Sequence, residues 1–181
     1  MTKFRVFFLA SICVLFAGHA AVAQVGAYAL FTGAKINQDN TPYMYGPTVG
    51  VYLNQQYSPL VSAGVDFRGT FVSRGPVNGV VNTDQRVNNV LGGVRLAITP
   101  KVLPIKPYVE GLVGIGYIKA GLPPNRTTST HFEYQALGGL DYTILPQLDW
   151  RVIEFSWGRL SGLGDSLSPR QLSTGVVFRL P

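Results

Sequence analysis

The feature that most constrains this chain is a two-residue alternation of apolar and polar side chains. Residues 61–71 read VSAGVDFRGTF, in which Val, Ala, Val, Phe and Phe stand at odd positions and Ser, Gly, Asp, Arg and Thr at even ones. Successive side chains of a β-strand point to opposite faces, so one face of this segment is apolar and the other is polar or nearly bare. The pattern predicts a strand that lies between two different environments.

The same alternation recurs along the chain, and no window has the 3.6-residue period of a helix. In the last segment, for example, Leu172, Val176 and Phe178 alternate with Gln171 and Ser173. The predicted strands are eight in number and cover about residues 25–34, 43–54, 60–73, 86–99, 107–119, 131–144, 148–159 and 170–180.

The seventh segment departs from strict alternation. Trp150 and Val152 share one parity, whereas Ile153, Phe155 and Trp157 share the other. A β-bulge near Val152 would reconcile the two halves, because a bulge inserts one extra residue into a strand. Whether Arg151 and Glu154 lie on the polar face depends on this register.

The connections between the predicted strands alternate in length. Residues 55–59 and 145–147 are short connections, and residues 100–106 are somewhat longer with two prolines. The other connections are generally longer and polar, at residues 35–42, 74–85, 120–130 and 160–169. Short turns at one end and long loops at the other are typical of an antiparallel up-and-down β-barrel of the bacterial outer-membrane type.

The first 23 residues have the features of a secretory signal peptide. Lys3 and Arg5 precede an apolar run at residues 6–16, and Ala21-Val22-Ala23 forms a small-x-small cleavage site. We expect cleavage between Ala23 and Gln24, which leaves a single barrel domain at residues 24–181. The apolar run is shorter than the roughly 20 residues that a spanning helix needs.

Cysteine content and charge exclude several classes of function. The only cysteine, Cys13, lies in the predicted signal peptide, so we expect no disulfide, cysteine metal site or cysteine nucleophile in the mature chain. The formal charge of +6 is spread thinly along the sequence, without the clustered basic residues of a nucleic-acid-binding surface.

Composition predicts which face of the strands looks outward. Only 13% of residues are charged, whereas a water-exposed surface is usually about a quarter to a third charged. The polar face instead carries many glycines, which suit the crowded interior of an eight-stranded barrel. A closed barrel that presents apolar side chains to lipid also leaves no backbone group unsatisfied in the membrane. The alternative is a secreted soluble barrel that binds an apolar ligand in its interior.

Aromatic residues favour the membrane interpretation. Tyr and Trp prefer the boundary between water and hydrocarbon. They and the phenylalanines form two predicted belts, with Tyr45, Phe71, Tyr117, Phe132 and Tyr134 near the long connections and Tyr142 and Trp150 near the short ones.

The chain resembles the small eight-stranded outer-membrane barrels, the OmpA-like transmembrane domain and OmpX-like proteins. The resemblance rests on the signal ending at Ala23, the glycine-punctuated segment 107–116 (PYVEGLVGIG) and the last strand 172–180 (LSTGVVFRL). It implies a stand-alone barrel in the outer membrane of a Gram-negative-type bacterium, surrounded by outer-membrane lipids. It also implies contact with periplasmic chaperones and the barrel-insertion machinery, which reads an aromatic residue at the end of such barrels. This sequence departs from that pattern by ending in Leu180-Pro181, and Phe178 is the nearest candidate.

Charged residues on the polar face are the candidate site. Isolated buried ions are costly, so inside a narrow barrel they must pair or reach water. The favoured interpretation is a structural network that fills the lumen, and the alternative is a narrow charged path for small solutes. The predicted lumen residues are Asp66, Arg68, Arg95, Glu110, Glu133, Asp141, Glu154 and Arg179, with Arg151 as a further candidate.

No enzyme or cofactor motif stands out. His131 has Ser129 and Glu133 as neighbours in the sequence, but a histidine at a strand end without a catalytic role is a better interpretation than a lipid hydrolase. Gly111, Gly114 and Gly116 precede no helix that could bind a nucleotide phosphate. We therefore expect a non-enzymatic barrel without metal or cofactor that has a structural or adhesion role through loops of unknown partners, or else a narrow porin-like channel.

Overall fold

The computed structural model describes residues 24–36, 43–74, 85–100, 103–120, 127–161 and 168–180. The predicted signal peptide and Ala23 lie outside the described residues. Gln24, the expected first residue of the mature chain, opens the first strand. None of the described residues forms a helix long and apolar enough to cross a membrane.

The described residues form a closed β-barrel of eight antiparallel strands, each hydrogen-bonded to the next, with the last paired to the first. The predicted fold is confirmed, and the observed strands differ from the predicted ones by a few residues at their ends. The strands are β1 (Gln24–Ile36), β2 (Met44–Gln56), β3 (Val61–Arg74), β4 (Gln85–Ile98), β5 (Ile105–Ala120), β6 (Thr127–Leu145), β7 (Leu148–Ser161) and β8 (Pro169–Leu180).

Apolar side chains cover the outside of the barrel and ions lie inside it. In β3, Phe67 is 60% exposed on the outer surface, whereas its neighbours Asp66 and Arg68 are 0% and 3% exposed in the lumen. The same sorting leaves Val94 and Val109 on the outside beside the buried Arg95 and Glu110. This inside-out polarity confirms the predicted orientation of the strands.

The predicted bulge in β7 is confirmed. Pairing of β7 with β6 and with β8 shifts register on either side of Val152, which has no cross-strand partner in either ladder. The extra residue brings Arg151 and Glu154 to the same face, and both are buried in the lumen. The bulge therefore adds a cation and an anion from one strand to the interior.

The barrel has two different rims. Residues 57–60, 99–104 and 146–147 connect strands at one rim, where Gln24 and Leu180 also lie. The other ends of the strands form the opposite rim, and residues 37–42, 75–84, 121–126 and 162–167, which belong to the predicted longer connections, lie outside the described residues. We call the two rims the short-turn rim and the long-connection rim.

The lumen also contains apolar side chains that the sequence pattern did not predict. Leu91, Leu112 and Leu137 pack together in the wall formed by β4, β5 and β6. Met44 and Val72 pack with Ala34 and Val87 toward the long-connection rim. The interior of so narrow a barrel is filled by side chains of both kinds, because eight strands leave room only for side chains.

Candidate functional site

Three arginines and four carboxylates meet in the lumen, and we call them the lumen network. Five strands, β3 to β7, contribute its members, and each member is at most 5% exposed. The lumen network consists of Asp66, Arg68, Arg95, Glu110, Asp141, Arg151 and Glu154.

Arg68 and Glu154 form the best-defined pair of the network. Arg68 Nη1 lies 2.7 Å from Glu154 Oε1 and Arg68 Nη2 lies 2.9 Å from Glu154 Oε2. Two parallel bonds between a guanidinium and a carboxylate are among the strongest and most directional contacts that side chains make. Arg68 Nη2 also lies 3.5 Å from Glu110, and Arg68 Nε lies 3.5 Å from Asp66. One guanidinium therefore links strands on opposite sides of the lumen.

Asp141 joins the other two arginines. Arg151 donates to both oxygens of Asp141, at 2.8 and 3.2 Å, and Arg95 Nη2 donates to Asp141 Oδ2 at 3.1 Å. Arg151 Nη1 also donates to Glu154 at 2.9 Å, and Arg95 Nη1 donates to Glu110. Every guanidinium of the network therefore contacts at least two carboxylates.

Three tyrosines complete the site. Tyr28 donates its hydroxyl hydrogen to Asp66 at 2.7 Å, and Tyr108 donates to Glu154 at 2.6 Å. The Arg95 guanidinium lies 3.7 Å from the centre of the Tyr108 ring and 4.5 Å from that of Tyr52. A cation over an aromatic face is stabilised most when both are desolvated, as they are here.

The inward glycines make room for these rings. Tyr28 is the cross-strand partner of Gly50, and Tyr108 is the partner of Gly139. A methyl group at Gly139 would overlap the Tyr108 ring, and one at Gly50 would overlap Tyr28. A bare backbone opposite each tyrosine therefore lets the ring lie flat across the neighbouring strand and reach the arginines.

A second ionic cluster lies near the short-turn rim. Asp149 Oδ1 is 2.9 Å from Arg179 Nη2, and Asp149 Oδ2 is 3.2 Å from Lys106 Nζ. Lys106 and Arg179 are partly exposed and line a recess of about 280 Å³ that opens at this rim. These ions therefore have access to water that the lumen network lacks.

A row of hydroxyl and amide groups crosses the lumen between the lumen network and the long-connection rim. Thr32, Thr48 and Thr70 are joined by hydrogen bonds of 2.7 and 3.0 Å between their hydroxyls. The backbone N–H of Thr70 donates to the side-chain carbonyl of Asn89, whose amide donates to Glu133 Oε1 at 3.1 Å. Glu133 therefore ends a chain of neutral groups.

Glu133 is the exception among the lumen carboxylates. It is 1% exposed, has no ion pair within the described parts of the chain, and its Oε2 has no hydrogen-bond partner there. His131 Nε2 also has no partner among the described residues, so neither Ser129 nor Glu133 activates it through that atom. The geometry required of a catalytic triad is not formed at this nitrogen.

The structure places the predicted lumen residues in three groups. Asp66, Arg68, Arg95, Glu110, Asp141 and Glu154 come together in the lumen network, Arg179 lies in the rim cluster, and Glu133 stands apart. Sequence reasoning left Arg151 and Glu154 conditional on the register of β7 and missed Lys106 and Asp149. It also missed the tyrosines, although Tyr28, Tyr52 and Tyr108 have lumen parity in their strands.

The donor set does not resemble a metal site. No group of three or more His, Cys, Asp or Glu side chains in the described ranges could hold a metal ion. The carboxylates that come close to one another are instead neutralised by guanidinium groups. The lumen network therefore cross-links the strands through ion pairs.

Comparison with solved structures relates the barrel to small outer-membrane proteins. Neisserial surface protein A shares 16% sequence identity with this chain, with a TM-score of 0.58 and coverage of 87% of this chain and 97% of that one. Ail, the attachment invasion locus protein of Yersinia pestis, shares 15% identity, with a TM-score of 0.61 and coverage of 87% and 99%.

No protein-family model matches the sequence, and a search of curated proteins gives no match. At sequence identities near 15%, the similarity to these structures shows a shared fold alone. The chain has the fold of the small eight-stranded outer-membrane barrels, as its alternating segments predict.

Proposed function

We propose that this protein is an integral outer-membrane protein without enzymatic activity, whose filled barrel is a scaffold that holds the four longer connections at one rim. The observation that carries the proposal is the lumen network, in which guanidinium groups and carboxylates from five strands fill the interior. Outer-membrane lipids are its proposed partners, and the apolar side chains on the outer surface of the barrel support this part of the proposal.

The geometry of the network supports a plug rather than a solute path. Arg151 is 0% exposed, and its guanidinium lies between Asp141, Glu154 and the rings of Tyr28 and Tyr108. An ion crossing this level would have to separate charge-assisted hydrogen bonds that water cannot replace in a dry interior. We therefore favour a closed lumen over a porin-like channel.

The two rims support a display role. Outer-membrane barrels of this type have short periplasmic turns and longer external loops, so residues 37–43, 75–84, 121–126 and 162–168 would face the exterior. Ail is named for attachment and invasion, and an adhesion or interaction role through these connections is our proposal here. Passage through periplasmic chaperones and the barrel-insertion machinery is part of the same proposal.

Conductance in planar lipid bilayers tests the plug. We expect the wild-type barrel to give no discrete current steps in KCl. We expect a variant with both Arg68 and Glu154 replaced by alanine to give current steps, which would show that insertion and detection succeed. Ion-selective steps from the wild type would overturn the plug in favour of a channel.

Labelling of intact cells tests the display role. The chain has a single cysteine, Cys13, in the predicted signal peptide, so an introduced cysteine is a unique label. We expect Asn82→Cys, in a longer connection, to react with a membrane-impermeant maleimide on intact cells. Tyr57→Cys, in the connection between β2 and β3, is the control and should react only after the outer membrane is permeabilised. The opposite pattern would overturn the proposed orientation, and recovery of the protein in the soluble fraction would overturn the membrane assignment.

A further inference from the structure

Charge is sorted by sign between the two faces of the barrel. Within the described ranges all six acidic side chains lie on the lumen side, as Asp66, Glu110, Glu133, Asp141, Asp149 and Glu154. The charged side chains exposed on the outer surface there are all basic and all near the long-connection rim, as Lys35, Arg86, Arg159 and Arg170. Among the described residues, the outer surface at this rim is therefore a cationic band above an apolar belt.

Two of these cations face each other directly. Lys35 in β1 and Arg170 in β8 are cross-strand partners, and both are exposed on the outside. Like charges directly opposite one another on a sheet repel. Lys35 lies 5.5 Å from the centre of the Tyr43 ring, which does not neutralise it. An anion between Lys35 and Arg170 would turn this repulsion into attraction, and a phosphate suits a guanidinium in particular.

An apolar groove begins beside this pair. Gly33 and Leu172 are cross-strand partners two residues along the same strands, which is about 7 Å toward the middle of the barrel. They line a groove of about 470 Å³ together with Phe31, Tyr43, Tyr45 and Ile153. Gly33 puts no side chain on the floor of the groove, and a methyl group there would come within 3.3 Å of the exposed ring of Tyr45.

Thr174 also lines the groove, and its hydroxyl is already engaged. Thr174 accepts a hydrogen bond from the Trp150 indole at 3.3 Å and donates to the Arg151 carbonyl at 2.9 Å, beside the bulge at Val152. Arg151 is the last residue of β7 paired with β8 before the register shift, and Thr174 gives its carbonyl a hydrogen bond there. The groove therefore presents a mainly apolar surface to a ligand.

We propose that this groove is a binding site for one anionic, phosphate-bearing membrane lipid. The phosphate binds between Lys35 and Arg170, and an acyl chain lies over Gly33 between Phe31, Tyr45 and Leu172. Charge complementarity identifies the occupant, since the cations stand at headgroup level and the groove descends from them along the surface that faces lipid. The site does not depend on whether the lumen conducts.

Lipid retention by the detergent-purified full barrel tests the proposal. Native mass spectrometry would count lipid bound to the barrel after incubation with phosphatidylglycerol, with phosphatidylcholine, or with inorganic phosphate alone. We expect phosphatidylglycerol to be retained in preference to the other two. The Lys35→Gln/Arg170→Gln double variant should lower its affinity by about 25-fold, because each cation near an anionic headgroup raises the affinity by about fivefold.

The groove is tested separately by Gly33→Leu, which fills the floor and should lower retention of phosphatidylglycerol while Lys35 and Arg170 remain. Gly111→Leu is the matched control, because Gly111 is exposed on the outside of β5 and a methyl group there meets nothing within 4 Å. Arg86→Gln on β4 is the control for loss of one outer cation. Heat-dependent migration on a gel reports that each variant remains a folded barrel.

Three results would overturn the inference. One is equal retention of phosphatidylglycerol by the wild type and the double variant. Another is equal retention of phosphatidylcholine, which would mean that the anionic headgroup is not recognised. The third is binding of inorganic phosphate as strong as that of the lipid with no effect of Gly33→Leu, which would reduce the site to an anion contact without an acyl chain.

Discussion

Arg68 and Glu154 lie 86 positions apart in the sequence and are joined across the lumen by two parallel hydrogen bonds of 2.7 and 2.9 Å. Neither side chain has access to solvent, and each has further partners in the lumen network. The pair therefore ties β3 to β7 through the interior, in addition to the backbone ladders that run around the barrel wall.

Arg68→Leu should be strongly destabilising. It leaves Glu154 without its bidentate partner in a buried site, which costs about 3–5 kcal/mol of the free energy of unfolding. The Arg68→Leu/Glu154→Leu double variant should lose less than the sum of the two single variants, because neither charge is left uncompensated. Urea titration of the barrel in lipid vesicles measures all three. Arg159→Leu, an exposed cation on β7, is the control, and a loss from Arg68→Leu no larger than its loss would contradict the prediction.

Glu133→Gln and Glu154→Gln should differ, although both replace a buried carboxylate with an isosteric amide. Glutamine at position 133 keeps an acceptor for the Asn89 amide and replaces a carboxyl group that has no ion pair in the described parts of the chain. We expect its free energy of unfolding to stay within about 1 kcal/mol of the wild type or to rise. Glu154→Gln should lose about 3 kcal/mol, because Arg68 and Arg151 lose their shared anion. Equal losses from the two variants would mean that Glu133 has a charged partner in the folded barrel.

Gly139→Ala tests the space opposite Tyr108. The added methyl group would displace the ring and with it the hydrogen bond to Glu154 and the stacking on Arg95, so we expect a loss of about 1–3 kcal/mol. Gly111→Ala in the same barrel wall meets nothing within 4 Å and should be close to neutral. Urea titration of both variants in lipid vesicles measures the difference. Unfolding of both variants at the same urea concentration would contradict the prediction.

Asp149→Asn and Asp141→Asn compare the same change at the rim and in the lumen. The partners of Asp149, Lys106 and Arg179, have side chains that are 17% and 12% exposed, whereas Arg151 beside Asp141 is fully buried. We expect Asp149→Asn to lose about 1 kcal/mol and the loss to shrink as salt rises from about 0.1 to 1 M. Asp141→Asn should lose about 3 kcal/mol with little salt dependence. A salt-dependent loss at position 141 would show that water reaches the network.

The alternation of apolar and polar residues predicted the strands and left a bulge near Val152 as the hypothesis that would reconcile the two halves of β7. The inside-out orientation needed composition as well, because a soluble barrel alternates in the same way. The strands and the bulge are local features, because side chains on a strand alternate by two wherever the strand lies, and a conflict of parity reveals an inserted residue. The same rule predicted that Asp66, Arg68, Arg95 and Glu110 have lumen parity. The interior leucines were missed, since one apolar residue on a polar face carries no signal of its own.

Only the tertiary structure decided which arginine of the lumen pairs with which carboxylate. Tilt and stagger of the strands in a closed barrel set the height at which each inward side chain meets the others. The sequence gives each residue's face but not that height, so it could not show that Arg68 reaches Glu154 while Glu133 stays unpaired. The pairing of Lys35 with Arg170 likewise exists only because β1 and β8, the first and last strands, are joined when the barrel closes.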